Sequence, residues 1–328
     1  MALKIGLVGC GIVSGYGHLP AIHASTDWEL HAIADIKPDV VARVREHYRP
    51  AHAFTDYREL LALPDLDAVA IATHMDTHAE IAIAAAERGL HVLCEKPMAR
   101  GEGECRDMVA AARKAGVLLA VNFNSRSGSI YRKVKEIIRS GALGKLRVTR
   151  ILLIWSAHQW QPPERLEKFM QGGGPVVDSA VHFFETVRWF TGAEFARIDA
   201  TGAVIPPYDN PQHVVAACSL TDGSIALVEA GWIYCKHTKT DDGLFQIDVI
   251  GDDGTVSYHS QSNTLRVFLK DSTEVSEFTD SDKHFEFVYA KLAESVRCGR
   301  LVELASGEDG LAATVAAFQA LASCKRPG

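Results

Sequence analysis

The sequence predicts an α/β chain in two parts: a doubly wound parallel sheet, then an α+β domain of antiparallel hairpins. Three observations carry this. Over the first third, short β-branched runs alternate with longer amphipathic ones. A glycine-rich turn follows the first of those runs, and beyond Asn122 the connections change to Gly/Asp hairpin turns. Two domains also suit 328 residues with 47% hydrophobic content, at roughly 150 residues per domain. The expected boundaries are 1–122 and 123–328.

The runs "LKIGLVG", "ELHAIAD", "DAVAIAT", "HVLCEK" and "VLLAVNF" read as strands. Between them, helices are expected over 38–48, 56–63, 77–89 and 103–116, the last two closing on Gly89 and Gly116. Strand and helix in alternation give βαβ units and hence a parallel sheet. After a further helix at about 129–140, the runs "GKLRVTRILLIW", "EFARIDATGAVI", "HVVAACSLTDGSIALVEAGWI", "FQIDVIGDDGTVSYHS" and "NTLRVFLKD" are punctuated by "TDGS" and "DDGT", the mark of antiparallel pairs. An alanine-rich helix over 306–324 ends the pattern.

With 34 Lys and Arg against 41 Asp and Glu, the formal charge is -7, and no basic block tracks a phosphate backbone, so nucleic acid is not an expected partner. Seven scattered cysteines without CxxC spacing argue against a metal site and a disulfide framework, and for a reducing compartment. "MALKIGLVGC" lacks the apolar core and cleavage site of a signal peptide, and no apolar run is long enough to span a membrane. A cytoplasmic protein is expected.

"GLVGCGIVSG" sets Gly9, Gly11 and Ser14 in a G-x-G-x-x-S turn between a strand and a helix, with Ile12 and Val13 inside it. Glycines there allow the tight turn and the close approach of backbone to a pyrophosphate, which meets the unpaired N–H groups of the helix start. Serine is small enough for the third position but departs from the pattern. Asp35, after the second strand, is placed to accept both adenosine ribose hydroxyls and to repel a 2′-phosphate. NAD is therefore expected over NADP, although Lys37 would offset part of that repulsion.

Four stretches together resemble the Gfo/Idh/MocA family of nicotinamide-dependent sugar and polyol oxidoreductases: "GLVGCGIVSGYGHLPA", "DYRELLALPDLDAVAIATHMDTHAEIAIAAAERGLHVLCEKPMA", "GGGPVVDSAVH" and "SGEDGLAATVAAFQALAS". The resemblance implies an N-terminal Rossmann domain and a C-terminal substrate-binding and oligomerisation domain on a large, mostly antiparallel sheet, in a homodimer or homotetramer. It implies that Lys96 of the Glu95-Lys96-Pro97 run reaches substrate and nicotinamide. Proline preceding the next helix already holds Lys96 extended at its strand end.

Asp178 and His182, read at i and i+4 on one helix face after Pro175, supply a carboxylate beside an imidazole. Alcohol oxidation sends hydride to the nicotinamide and the hydroxyl proton to a base. His182 is accordingly read as general acid/base, Lys96 as holding the reacting oxygen, and Asp178 as orienting its neighbours; a helix-surface ion pair is the plainer alternative. The family varies in whether lysine or histidine takes the proton. Thr73, His78 and Glu95 are further cofactor candidates, while His74 stands where the family shows proline. Arg126, Trp155, His158 and Trp160 are candidate substrate contacts, since aromatic rings cover the apolar face of a sugar, and Tyr234 and His237 are weaker ones. Two other functions stay open: an NAD-using, redox-neutral glycoside-cleaving enzyme, and a non-catalytic NAD/sugar-binding sensor.

Overall fold

The computed structural model describes residues 2–238, 243–278 and 284–324, apart from the side chains of Asn124 and Trp160. The chain forms two compact units, Met1–Ser127 with Asp282–Ala312, and Gly128–Ser281 with Ala313–Gly328.

The first unit is built on β1 (Leu3–Val8), β2 (Trp28–Ala34), β3 (His52–Phe54), β4 (Ala68–Ile71), β5 (His91–Glu95) and β6 (Leu119–Asn122). They lie in the order β6-β5-β4-β1-β2-β3, all parallel, and the short strand Ala305–Ser306 pairs antiparallel with β6. Such strands, covered on both faces, must be apolar nearly throughout, and every residue of "AVAI" in β4 is buried. The order reverses at β1, which lies between β2 and β4. That is where a doubly wound sheet opens a crevice beyond its carboxyl ends. The helix Pro38–Tyr48 starts on proline, and Glu102–Ala115 ends on Gly116 in the left-handed region, φ 69°. The helix expected over 77–89 opens instead as a 3₁₀ turn, Met75–Thr77, before running His78–Glu87. The strand β3 is too short for its alternation to be read.

The expected first domain ended at residue 122, but the helix Phe285–Cys298 packs in this unit. Its Phe285, Val288, Tyr289 and Leu292 share one face and join Ile5, Leu7, Ile22 and Ile33 in the core. The spacing of those four residues predicts a buried helix face; it does not say which sheet will cover it.

The second unit carries β7 (Leu146–Ile154), β8 (Phe195–Ala203), β9 (His213–Leu220), β10 (Ile225–Gly231), β11 (Leu244–Gly251), β12 (Gly254–His259), β13 (Thr264–Leu269) and β14 (Ser272–Glu277). Their order is β14-β13-β12-β11-β7-β10-β9-β8, antiparallel except for the parallel pair β7–β10. On one face Ile151, Ala216, Val228, Ile247, Val256 and Val267 are buried, and the apolar helix Ala180–Thr191 packs on β7 and β10. Cross-strand pairing puts Val215, Ile225, Ile250, Phe268 and Val275 on the opposite face, all of them exposed. The terminal helix runs Gly307–Cys324, close to the expected span. Among the described residues no helix is long and apolar enough to cross a membrane.

Candidate active site

In the first unit β1 leads into Gly9, whose φ of +90° only glycine adopts without strain. A Cβ there would lie 2.6 Å from the Ala72 carbonyl oxygen. The Gly9 N–H donates to Ala34 O at 2.8 Å, and the buried Ser14 hydroxyl donates to Gly9 O at 2.5 Å. Serine at the third position thus closes the turn upon itself. Gly11 is different: a Cβ built on it meets no protein atom within 4 Å. Glycine at that point keeps backbone approachable from outside, as a pyrophosphate requires. Ile12 is 54% exposed on the same turn, and Val13 packs partly into the core.

Asp35 follows β2 and is fixed to the turn. Its Oδ2 accepts the Cys10 N–H at 2.8 Å and its Oδ1 accepts the Lys37 N–H at 2.9 Å. Burial, with the Asp35 charge adding to it, pushes the Cys10 thiol up to about 12, so this cysteine stays protonated. The carboxylate retains lone pairs for ribose hydroxyls. Glycine turn, aspartate and helix start together fit a dinucleotide.

Gly9, Asp35, Thr73 and Lys96 follow the carboxyl ends of β1, β2, β4 and β5. Thr73 accepts a hydrogen bond from the Thr77 hydroxyl at 2.8 Å, and His74 lies 3.0 Å from Asp76. His78 is buried, with Nδ1 3.0 Å from Pro97 O and Nε2 3.2 Å from Thr73 O. Burial lowers its pKa, and the ring braces the loop after β4 against the Glu-Lys-Pro segment. Lys96 is half-buried, and the Lys96–Pro97 peptide bond is cis. Arg126 donates to Asp309 at 3.0 Å and to Leu304 O at 3.4 Å, so its guanidinium ties down the segment around residue 305.

Glu95, already a candidate from the sequence, belongs to a set with three residues that the sequence reading missed, His18, Asn122 and Tyr289. Glu95, 8% exposed, has its Oε1 3.0 Å from His18 Nε2 and accepts from Asn122 Nδ2 at 2.6 Å, while its Oε2 accepts the Lys96 N–H at 3.3 Å. His18, wholly buried, meets the Tyr289 hydroxyl at 2.7 Å through Nδ1. Burial works against a charge on Glu95, but His18, Asn122 and Lys96 more than offset it and hold the carboxyl at about 2. No local spacing signals such a set, because His18 and Tyr289 are 271 residues apart in sequence.

In the second unit Asp178 and His182 do not lie on one helix. Asp178 ends the short helix Pro175–Asp178, and His182 belongs to Ala180–Thr191, which starts after a break at Ser179. There the His182 N–H reaches Ser179 O at 3.2 Å, and the Ser179 hydroxyl accepts from Trp232 Nε1 at 3.1 Å. Both candidate side chains are half-buried. The glycines before them are required: Gly173 has φ +120° and Gly174 φ +65°, and a Cβ on Gly174 would lie 2.8 Å from Pro211 O. Trp155 packs edge-on against Trp232, ring centroids 6.4 Å apart, in a cluster with Phe169 and Tyr208. His158 Nε2 is 3.0 Å from Gln212 Oε1. The Trp160 side chain lies outside the described residues. Tyr234 is half-buried and His237 exposed.

Residues 3–123 match an oxidoreductase family model described as an NAD-binding Rossmann fold, and residues 131–257 match the GFO/IDH/MocA C-terminal domain. The rhizopine catabolism protein MocA of Rhizobium meliloti is 30% identical over 236 residues, 70% of this chain and 71% of that protein. The chain belongs to the Gfo/Idh/MocA family.

Another Gfo/Idh/MocA relative, the myo-inositol 2-dehydrogenase of Thermotoga maritima, is 32% identical over 203 residues, 62% of this chain and 59% of that protein's length. In overall fold the chain is similar to a levoglucosan dehydrogenase solved in complex with NADH, at TM-score 0.86 and 23% identity over 99% of this chain and 97% of that one.

The two glycines of the turn separate folding from binding. Gly9→Ala forces a Cβ into the Ala72 carbonyl at positive φ and is expected to cost about 1–3 kcal/mol of stability. Gly11→Ala should change stability by no more than about 0.5 kcal/mol, because its Cβ meets nothing, yet weaken NAD binding at least tenfold. Thermal melts and NAD titrations of the two variants check this; a Gly11→Ala protein with wild-type NAD affinity would contradict it.

Proposed function

We propose that the protein is an NAD-dependent dehydrogenase acting on a ring hydroxyl, or the corresponding ketone, of a sugar, inositol or related polyol. The observation that carries this reading is Lys96 at the carboxyl end of β5, in the same parallel sheet whose β1 and β2 end on the glycine turn and Asp35. The names of the relatives, an inositol dehydrogenase and a levoglucosan dehydrogenase, support the substrate class.

Bound NAD supplies the hydride acceptor. The remaining work falls to side chains of this chain. Asp35 and the backbone around Gly11 bind the dinucleotide. Lys96 donates a hydrogen bond to the reacting oxygen, which lowers the cost of negative charge there as the alcohol is oxidised. His182 takes the hydroxyl proton and returns it in the reverse direction, and Asp178 orients the imidazole and favours its charged form. Thr73 contributes to the cofactor pocket, and His158 to the substrate side.

The reading also includes a homo-oligomer. Five large apolar residues from five strands, Val215, Ile225, Ile250, Phe268 and Val275, stand exposed on one sheet face, which supports burial against a second copy.

Purified protein with NAD and a panel of sugars, inositols and anhydrosugars is expected to generate NADH on at least one of them. His182→Asn should lower kcat on that substrate by about 10²–10⁴-fold while leaving NAD affinity within about twofold. A panel without any NADH, or a His182→Asn enzyme of unchanged kcat, would sink the reading. For the assembly, sedimentation should find a dimer or tetramer at micromolar concentration, and Phe268→Asp with Ile250→Asp should shift it toward monomer. A wild-type monomer under those conditions contradicts the oligomer.

A further inference from the structure

His18 is a wholly buried titratable group of the first unit that the proposed chemistry does not use. It sits at the end of a single π-helical turn, Ser14–His18, directly after the glycine turn. Insertions of this kind inside helices recur at functional sites. Pro20, just beyond, has no N–H to give to the preceding turn. The wide turn swings the imidazole inward, where Phe285 covers it edge-on, ring centroids 4.9 Å apart. Gly17 makes room for that ring: a Cβ on it would lie 2.5 Å from Phe285 Cζ.

The hydrogen bonds around His18 have one consistent direction. In the neutral ring with its proton on Nε2, Nδ1 accepts from the Tyr289 hydroxyl, which burial keeps protonated. Nε2 then carries the ring proton and donates to Glu95 Oε1, which also accepts from Asn122. With Oε1 held by two donors, the other oxygen is turned to the backbone N–H of Lys96. His78 holds the following residue by the Pro97 carbonyl. Lys96 thus lies between two segments held by buried histidines, His18 acting through the Glu95 carboxylate and His78 on the carbonyl of the next residue, Pro97.

We propose that His18 is a positioning residue for Lys96: with its ring fixed by Tyr289, it locks the Glu95 carboxylate onto the Lys96 main chain and so sets where the lysine side chain starts. The proposal rests on Lys96 being the lysine of the site, and its test does not need turnover. Lys96 is acetylated with an N-hydroxysuccinimide ester, and its labelling rate relative to the exposed Lys133 is read by mass spectrometry in wild type, His18→Gln and His18→Leu. Glutamine can still donate to Glu95, whereas leucine has similar volume and no donor. The Lys96/Lys133 ratio should change at least fivefold in His18→Leu and less than twofold in His18→Gln, with NAD affinity within twofold in both. If His18→Leu loses its cooperative melt, Tyr289→Phe decides, with an expected change of at least twofold. Equal changes in the leucine and glutamine variants, or none in the deciding variant, overturn the proposal. Absence of turnover across the sugar panel would instead strike the proposed function and leave the labelling ratios as they are.

Discussion

A carboxylate buried next to Lys96 is the constraint on which the first unit depends. Taking Glu95 out of water with its charge intact is costly unless donors surround it, and the fold supplies three: an imidazole, a carboxamide and a backbone N–H. Each comes from a different place. His18 arrives on the turn after the glycines, Asn122 ends β6, and the N–H belongs to Lys96 itself. Tyr289, which orients the imidazole, comes from a helix that follows the whole second sheet in sequence. A chain ending at β6 would hold the glycine turn and Asp35 but not the group that orients His18.

The same economy governs the dinucleotide end. Asp35 accepts backbone N–H groups from the glycine turn and from Lys37, which fixes its carboxylate for the ribose contact proposed above. Binding then costs less side-chain ordering than a mobile aspartate would. Ser14, a departure from the usual glycine or alanine, buries its hydroxyl against the Gly9 carbonyl and leaves no polar group unpaired. In the second unit, the glycines at 173 and 174 set the start of the helix carrying Asp178, and the Ser179–Trp232 bond holds the break that follows.

What was legible in the sequence was whatever is encoded over a few residues. The Gly9-Gly11 turn, Asp35 after its strand and the helix closing on Gly116 are backbone requirements that a handful of neighbours dictate. The family resemblance likewise carried the fold of both units. Four things escaped, each because a distant partner decides it. Helix Phe285–Cys298 has the right periodicity but gives no hint of which sheet it covers. Asp178 and His182 have the spacing of one helix face, yet the break at Ser179, braced by Trp232 just after β10, divides them between two helices. Arg126, read as a candidate substrate contact, is tied to Asp309. His18 looks like a lone histidine on an apolar segment, which is more often core than function; only the fold reveals Glu95 and Tyr289 on either side of it.

Glu95 is thus a buried carboxylate held in its charged form. The most direct test is the pH titration of its carboxyl carbon by NMR in protein labelled with ¹³C-glutamate, the resonance being assigned by its loss in Glu95→Gln. The resonance should stay ionised from neutral pH down to about 4, with the midpoint well below the ordinary carboxyl value of 4.5. A midpoint at or above 4.5 would mean that burial prevails over the donors, and would contradict the account.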